Sequence, residues 1–320
     1  KRGKFLFWLG MLSLLLMPIM PEGLGFAFFL LSKLSFIGAF YLYSANVRFK
    51  FIYVFAAYLP VIYNAVYSSV FHDLLLWGGF LFIIYALLKK IGAIRKSLII
   101  ASGIILILFI QLIKQEYRAA IAEETQARAE VFSEVAARQL KADVEEDDYF
   151  QALVDRLNQG WIIARIMYVV PDFVPFAEGE TIETGMRAAF IPRVFNPDKV
   201  VSGGFYFERF TGMELQGTSM NLGLVGEAYA NYGPNGGMWF MFFFGLFINI
   251  VLSILYYQSY AKPELLLWVP FLFLYMIKAE DDFTTMINQF VKALYVMLGV
   301  LWLMGKLYPR ENYIPEEGER

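Results

Sequence analysis

The side chains best equipped for chemistry lie between residues 165 and 237. Arg187, Arg193, Lys199 and Arg209 punctuate a stretch spread with glycine, and Arg165 precedes it at the margin of an apolar stripe. A guanidinium presents a planar fork to phosphate oxygens, and an ammonium presents a point charge. The set suits an oxyanion ligand. It suits equally an ordinary surface loop whose cations pair with Asp198 and Glu208. Residues 218–237 then read TSMNLGLVGEAYANYGPNGG, with Ser219, Glu227, Tyr229 and Asn231 just ahead of a long apolar run. An acid and an amide at such a boundary are expected to serve a ligand, and the surrounding glycines let a bulky one approach.

Composition says where these groups work. The chain has 320 residues, 58% apolar and 18% charged, whereas a soluble domain carries about a quarter charged residues. It belongs among membrane proteins. There is no cysteine and one histidine, His72. Thiolate nucleophiles, disulfides, cysteine metal sites and multi-histidine relays are thereby excluded, and no metal or other cofactor is expected. Glu145, Glu146, Asp147 and Asp148 lack calcium-loop spacing and read as a solvated acidic turn. No phosphate-cradling glycine loop of the nucleotide-binding kind occurs, and no sustained basic face points to nucleic acid. His72 and Asp73 are adjacent at the start of an apolar run, where His72 reads as an interfacial residue rather than part of a Ser–His–Asp site.

Crossing the hydrocarbon takes about 20 mostly apolar residues. Candidate spans are 5–20, 24–43, 51–68, 74–88, 97–113, 238–257, 265–278 and 286–305, of which the first, fourth and seventh are short. If each crosses once, Lys1, Arg2, Lys4, Arg48, Lys50, Lys89, Lys90, Arg95, Lys96, Lys262, Lys306 and Arg310 all fall on one side. Basic residues in short loops mark the cytoplasm, so both termini are expected there and the long segment outside. The expected fold is an all-α polytopic membrane protein of about eight spans with a partly helical extracytoplasmic insertion between spans five and six. Its parts are a five-span bundle over 1–113, a substrate loop domain over 114–237, three spans over 238–305 and a tail over 306–320. Lys33 falls within a span and needs either a partner on a neighbouring span or a polar groove.

Within the outer segment, 115–148 has helix composition without Gly or Pro. Residues 149–170 carry an apolar face at helical spacing from Phe150 to Ala164, stopped by Pro171 and Pro175. From 178 to 217 periodicity disappears, and a loop is expected. Gly233, Pro234, Gly236 and Gly237 are expected to form a turn that enters the membrane.

Ile191, Pro192, Arg193 and Lys199, followed by Gly226, Glu227, Tyr229, Asn231, Tyr232 and Gly233, make the chain resemble bacterial oligosaccharide repeat-unit polymerases, the Wzy-type O-antigen and exopolysaccharide enzymes. The matching motifs lie within residues 160–237, and Tyr232 stands where the family usually has Phe. The family usually has more spans, so the resemblance implies spans ahead of Lys1. Where the family has an arginine near the outer end of the penultimate span, this chain has Lys278-Ala279-Glu280-Asp281-Asp282.

The resemblance implies a glycosyltransferase on the outer face of the bacterial inner membrane. It would move a growing glycan from one undecaprenyl diphosphate onto the terminal sugar of another lipid-linked repeat, without metal. The leaving group is then a diphosphate anion, and cations preorganised beside it stabilise its departure. Arg193 is the first candidate, with Arg165, Arg187, Lys199 and Arg209 beside it. The incoming hydroxyl needs a base. Glu227 is the first choice and Asp281 or Asp282 the second, while Ser219, Tyr229 and Asn231 position sugar hydroxyls. The bilayer and the lipid-linked glycan are the expected partners, and the outer helices either fold over the site or bind a chain-length regulator. Two other classes stay open: a flippase for the same lipid-linked sugars, and a structural subunit of an envelope complex.

Overall fold

The structure is a computed structural model, and it describes residues 1–68, 71–123, 128–139, 160–191, 204–215, 220–278 and 280–309. Its helices are α1 (Arg2–Leu16), α2 (Glu22–Ser32), α3 (Leu34–Ser44), α4 (Lys50–Ser68), α5 (His72–Lys89), α6 (Ala93–Glu123), α7 (Arg128–Gln139), α8 (Gly160–Val169), α9 (Glu180–Phe190), α10 (Gly204–Thr211), α11 (Gly223–Ser259) and α12 (Phe283–Leu307). No strand occurs among the described residues. Seven segments there are long and apolar enough to cross a membrane: α1 with a short 3-10 extension, α2 and α3 together, α4, α5, α6, α11 and α12.

An apolar helix satisfies its own backbone, which is why apolar runs become helices in lipid. What remains is to bring helices together. α1 and α3 do so through glycine. A Cβ on Gly10 would lie 2.1 Å from the Ser35 nitrogen, and one on Gly38 would lie 2.3 Å from the Phe7 nitrogen. Only a bare backbone permits that approach. Aromatic packing joins α5 to α3, with the Trp77 and Phe36 rings stacked at 4.2 Å between centroids.

Between α11 and α12 the chain does not form the continuous span expected at 265–278. It takes a 3-10 segment, Pro263–Trp268, one α turn, Val269–Leu272, and further turns. Arg2 ties Glu264 and the Tyr308 carbonyl to the Lys1 end of the bundle. At the opposite end, the Phe283 amide meets Glu227. The described residues between 263 and 282 therefore run the length of the bundle as an irregular strip. Leu265, Trp268, Phe271, Leu272 and Leu274 are buried in it. Backbone of this kind persists at membrane depth only inside protein. Gln289 on α12 donates to the Phe271 carbonyl at 2.8 Å, and Trp268 Nε1 donates to the Tyr41 hydroxyl at 2.9 Å.

Three further expectations change. Span two is interrupted at Lys33, between α2 and α3. α6 continues past residue 113 to Glu123, since nothing before that point breaks a helix. Residues 180–190 and 204–211, expected within a loop, are helical. The buried face of α9 is Thr181, Gly185, Ala188 and Ala189, so its stripe is small rather than large and apolar and escapes a hydrophobic-period search. Of the outer helices read at 115–148 and 149–170, α7 and α8 are seen, and residues 140–159 lie outside the described set.

Candidate functional site

The GEAYANYG motif occupies the start of α11, on a short arm set off from the apolar helix by a break at Gly233. That residue has φ 67° and ψ −170°, outside helical space, which a glycine adopts without a Cβ clash. Pro234 then opens the membrane-crossing part, a position where its missing N–H costs nothing. The expected turn is thus a single-residue break between two helical pieces, and Glu227, Tyr229 and Asn231 sit on the piece ahead of the crossing.

The arm is bolted to its surroundings. Glu227 is 0% exposed. Its Oε1 accepts from the Thr181 hydroxyl of α9 at 2.5 Å, and its Oε2 accepts from the Phe283 amide of α12 at 2.6 Å. Asn231 Nδ2 donates to Thr181 Oγ1 and to the Glu227 carbonyl, both at 2.8 Å, and its Oδ1 accepts from the Gly179 amide at 3.1 Å. The Ala177 and Glu178 amides donate to the Ala230 and Asn231 carbonyls, and the Tyr229 hydroxyl donates to the Val170 carbonyl. Burial pushes the Glu227 carboxyl up to about 7, and nearby Asp282 adds to the rise, against the Thr181 and Phe283 hydrogen bonds.

Beside the arm, ionisable groups gather at the same end of the bundle. Asp282 Oδ1 caps α12 by accepting from the Thr285 amide at 2.7 Å. Asp281 is 7% exposed; its Oδ2 lies 3.8 Å from Lys278 Nζ. Burial raises the Asp281 carboxyl to about 6, Lys278 opposes the rise, and Glu280 and Asp282 add to it. Lys33, buried at the break between α2 and α3, finds its partner in Asp73 at the head of α5, at 2.8 Å. His72 Nε2 stands 2.8 Å from the other Asp73 oxygen. Tyr275 lies within electrostatic reach of both Asp73 and Asp281, so the two carboxylates belong to one cluster. Lys33, Thr181 and Lys278 have no motif around them. In the sequence Lys33 carried a signal as a charge inside an apolar run and Lys278 as the residue standing where the resembled family has an arginine, while Thr181 carried none.

The cations take other places. Arg209 on α10 forks onto both oxygens of Glu180 at 2.9 Å, one residue from Thr181. Arg165 Nε donates to the Thr211 carbonyl at 2.8 Å, and its guanidinium lies over the Tyr168 ring. Arg187 pairs with Glu183 one turn back on the exposed face of α9. None of these three has a hydrogen bond to Glu227. Arg193, Lys199 and Ser219 lie outside the described residues. No group of three or more histidine and acidic side chains arranged to hold a metal occurs among the described residues.

The model of one family, Domain of unknown function (DUF8712), matches residues 2–304, and the chain belongs to that family. No curated protein and no solved structure matches it.

Proposed function

We propose that this chain is a membrane glycosyltransferase that polymerises undecaprenyl-diphosphate-linked oligosaccharide repeat units on the outer face of a bacterial inner membrane, with both termini in the cytoplasm. The observation that carries the proposal is the arm. Gly226, Glu227, Tyr229, Asn231 and Gly233, the residues of the motif resemblance, form one rigid piece where an apolar helix begins. That piece is fixed to α9 and α12 at the end of the bundle where Asp73, Lys278 and Asp281 collect.

In the reaction, the acceptor hydroxyl oxygen bonds to the anomeric carbon of the donor glycan. The bond from that carbon to the diphosphate oxygen breaks, and its electron pair leaves with the lipid diphosphate. The hydroxyl proton passes to a carboxylate and then to the diphosphate or water. The donor's own diphosphate ester supplies the driving force, so no nucleotide is consumed. Arg193 and Lys199 stabilise the leaving anion, while Arg165, Arg187 and Arg209 are held on neighbouring elements by the Thr211 carbonyl, Glu183 and Glu180. Glu227 faces Thr181 and Phe283 rather than an opening. Its part in this scheme, shared with Asn231, which is buried and fully hydrogen-bonded within the arm, is to set the position of the arm, so that Tyr229 and Ser219 meet the sugars.

The test is the state of lipid-linked glycan in cells. A strain without the protein, or with Arg193→Ala in its place, accumulates single repeats on the outer leaflet. A flippase for lipid-linked sugars is the second reading, favoured by the irregular strip at 263–282 and by an ion pair within the apolar bundle, as transporters use. Single repeats trapped on the inner leaflet would establish that reading and overturn the first.

A further inference from the structure

Two lysine–aspartate pairs stand at the same end of the bundle, and they differ in one respect. Lys33 and Asp73 are closed. Nζ meets Oδ2 at 2.8 Å in a hydrogen bond, and the lysine also lies over the Phe29 ring. Lys278 and Asp281 are open. Nζ and Oδ2 are 3.8 Å apart, beyond hydrogen-bond reach. Asp281 Oδ2 has no hydrogen-bond partner although the residue is 7% exposed. The Lys278 side chain is 14% exposed and rests over the Tyr275 ring at 4.5 Å. Burying an ammonium and a carboxylate side by side without letting them bond forfeits the attraction that offsets their desolvation.

We propose that Lys278 and Asp281 form an open clamp for a phosphate ester that also bears a hydroxyl, the ammonium taking a phosphoryl oxygen and the carboxylate taking the hydroxyl. The three N–H donors of Lys278 suit a phosphoryl oxygen, and the free lone pairs of Oδ2 suit an alcohol. The Lys278 side chain, 14% exposed, is the part of the clamp nearest the surface, beside exposed Ile277 and Glu280, and Asp281 Oδ2 is buried behind it, so a ligand hydroxyl reaches the carboxylate only past the ammonium. Of the neighbouring carboxylates, Glu227 is engaged through both oxygens, by Thr181 and Phe283, while Asp282 caps α12 through Oδ1 and keeps a buried Oδ2 without a partner. The clamp rests on the polymerase reading only for the identity of the ester, a lipid-linked sugar diphosphate. The phosphoryl group of a membrane headgroup has the same chemistry at this depth.

The experiment measures binding of farnesyl diphosphate, which carries the diphosphate without an alcohol and so reads the ammonium half of the clamp, to the full chain in nanodiscs of phosphatidylcholine, alone or mixed with phosphatidylglycerol. Lys278→Gln is expected to weaken binding about tenfold, while Lys278→Arg stays near the parent, as loss or retention of one charge-assisted contact requires. Asp281→Asn removes a like charge from beside the anion, so it is expected to bind as tightly or tighter and yet to extend no glycan. Loss of the Lys278-dependent binding when phosphatidylglycerol is added keeps the clamp and assigns its phosphoryl oxygen to a headgroup. Unchanged affinity in Lys278→Gln, or weakened affinity in Asp281→Asn, overturns the clamp. Each substitution bears on it separately if the other fails to fold. Lys278-dependent binding without any glycan extension by the parent protein would retain the clamp and remove the polymerase reading. Full extension by Lys278→Gln would do the reverse.

Discussion

Thr181 donates its one proton to Glu227 and accepts from Asn231, so a single hydroxyl joins the two polar residues of the arm to α9. Thr181→Val keeps the shape and removes the hydroxyl, leaving buried groups on Glu227 and Asn231 short of a partner. Stability should fall by about 1–3 kcal/mol, measured by denaturation in detergent, and Thr181→Ser should recover most of it. Glu227 gives a second prediction at this scale. Its folded carboxyl is raised to about 7 from an ordinary 4.5, so the folded state holds a proton that the unfolded state releases. Below pH 4.5 both states are protonated and there is no penalty. Between the two values stability is lost as pH rises, by roughly 3 kcal/mol in all, and above about pH 7 the loss is complete. A thermal melt series across this window should show the decline, and Glu227→Gln should flatten it. Glu227 and Asn231 were legible in the sequence because an acid and an amide interrupt a glycine-rich approach to an apolar run. Thr181 was not, since its partner is 46 residues away and nothing local marks the pairing.

At the scale of elements, apolar composition is enough to find the spans and insufficient to say how they meet. The approach of α1 to α3 depends on Gly10 and Gly38, whose places in two apolar runs carry no periodic signal. Gly38→Val would put side-chain carbon against the Phe7 backbone, where a Cβ already falls at 2.3 Å. The two helices must part, and the variant should show little folded protein by size exclusion, whereas Gly245→Val, with nothing within 4 Å of its Cβ, should behave as the parent. The strip at 263–282 was mistaken for a short helix because its residues are as apolar as a span. What distinguishes it is Gln289, a polar side chain on another helix that satisfies the Phe271 carbonyl. α9 was missed for the opposite reason. Its buried face of threonine, glycine and alanine is too small to register as hydrophobic, yet it lets the helix lie close along α12.

For the whole molecule, the polar chemistry is concentrated at one end of a membrane bundle. Arg2, Glu264 and Tyr308 close the other end. The proposed orientation, argued from basic residues in short loops, puts the Arg2 end in the cytoplasm, and it can be tested directly. The chain has no cysteine, so single cysteines can be introduced without background. Arg187→Cys and Ile277→Cys should react with a membrane-impermeant maleimide in intact spheroplasts, and Lys4→Cys should react only after the membrane is opened. The reverse pattern would place the arm in the cytoplasm and remove the outer-face assignment.

The central claim is that this end of the bundle joins lipid-linked glycans. Its most direct test incubates the purified full chain in nanodiscs with an undecaprenyl-diphosphate-linked repeat unit and no nucleotide, and resolves the glycan products by length. The account predicts a ladder of oligomers from the parent protein and a slower, shorter ladder from Lys278→Gln at the same concentration of repeat unit. Single repeats alone from the parent, folded and loaded with a repeat unit that a second polymerase extends under the same conditions, would contradict it.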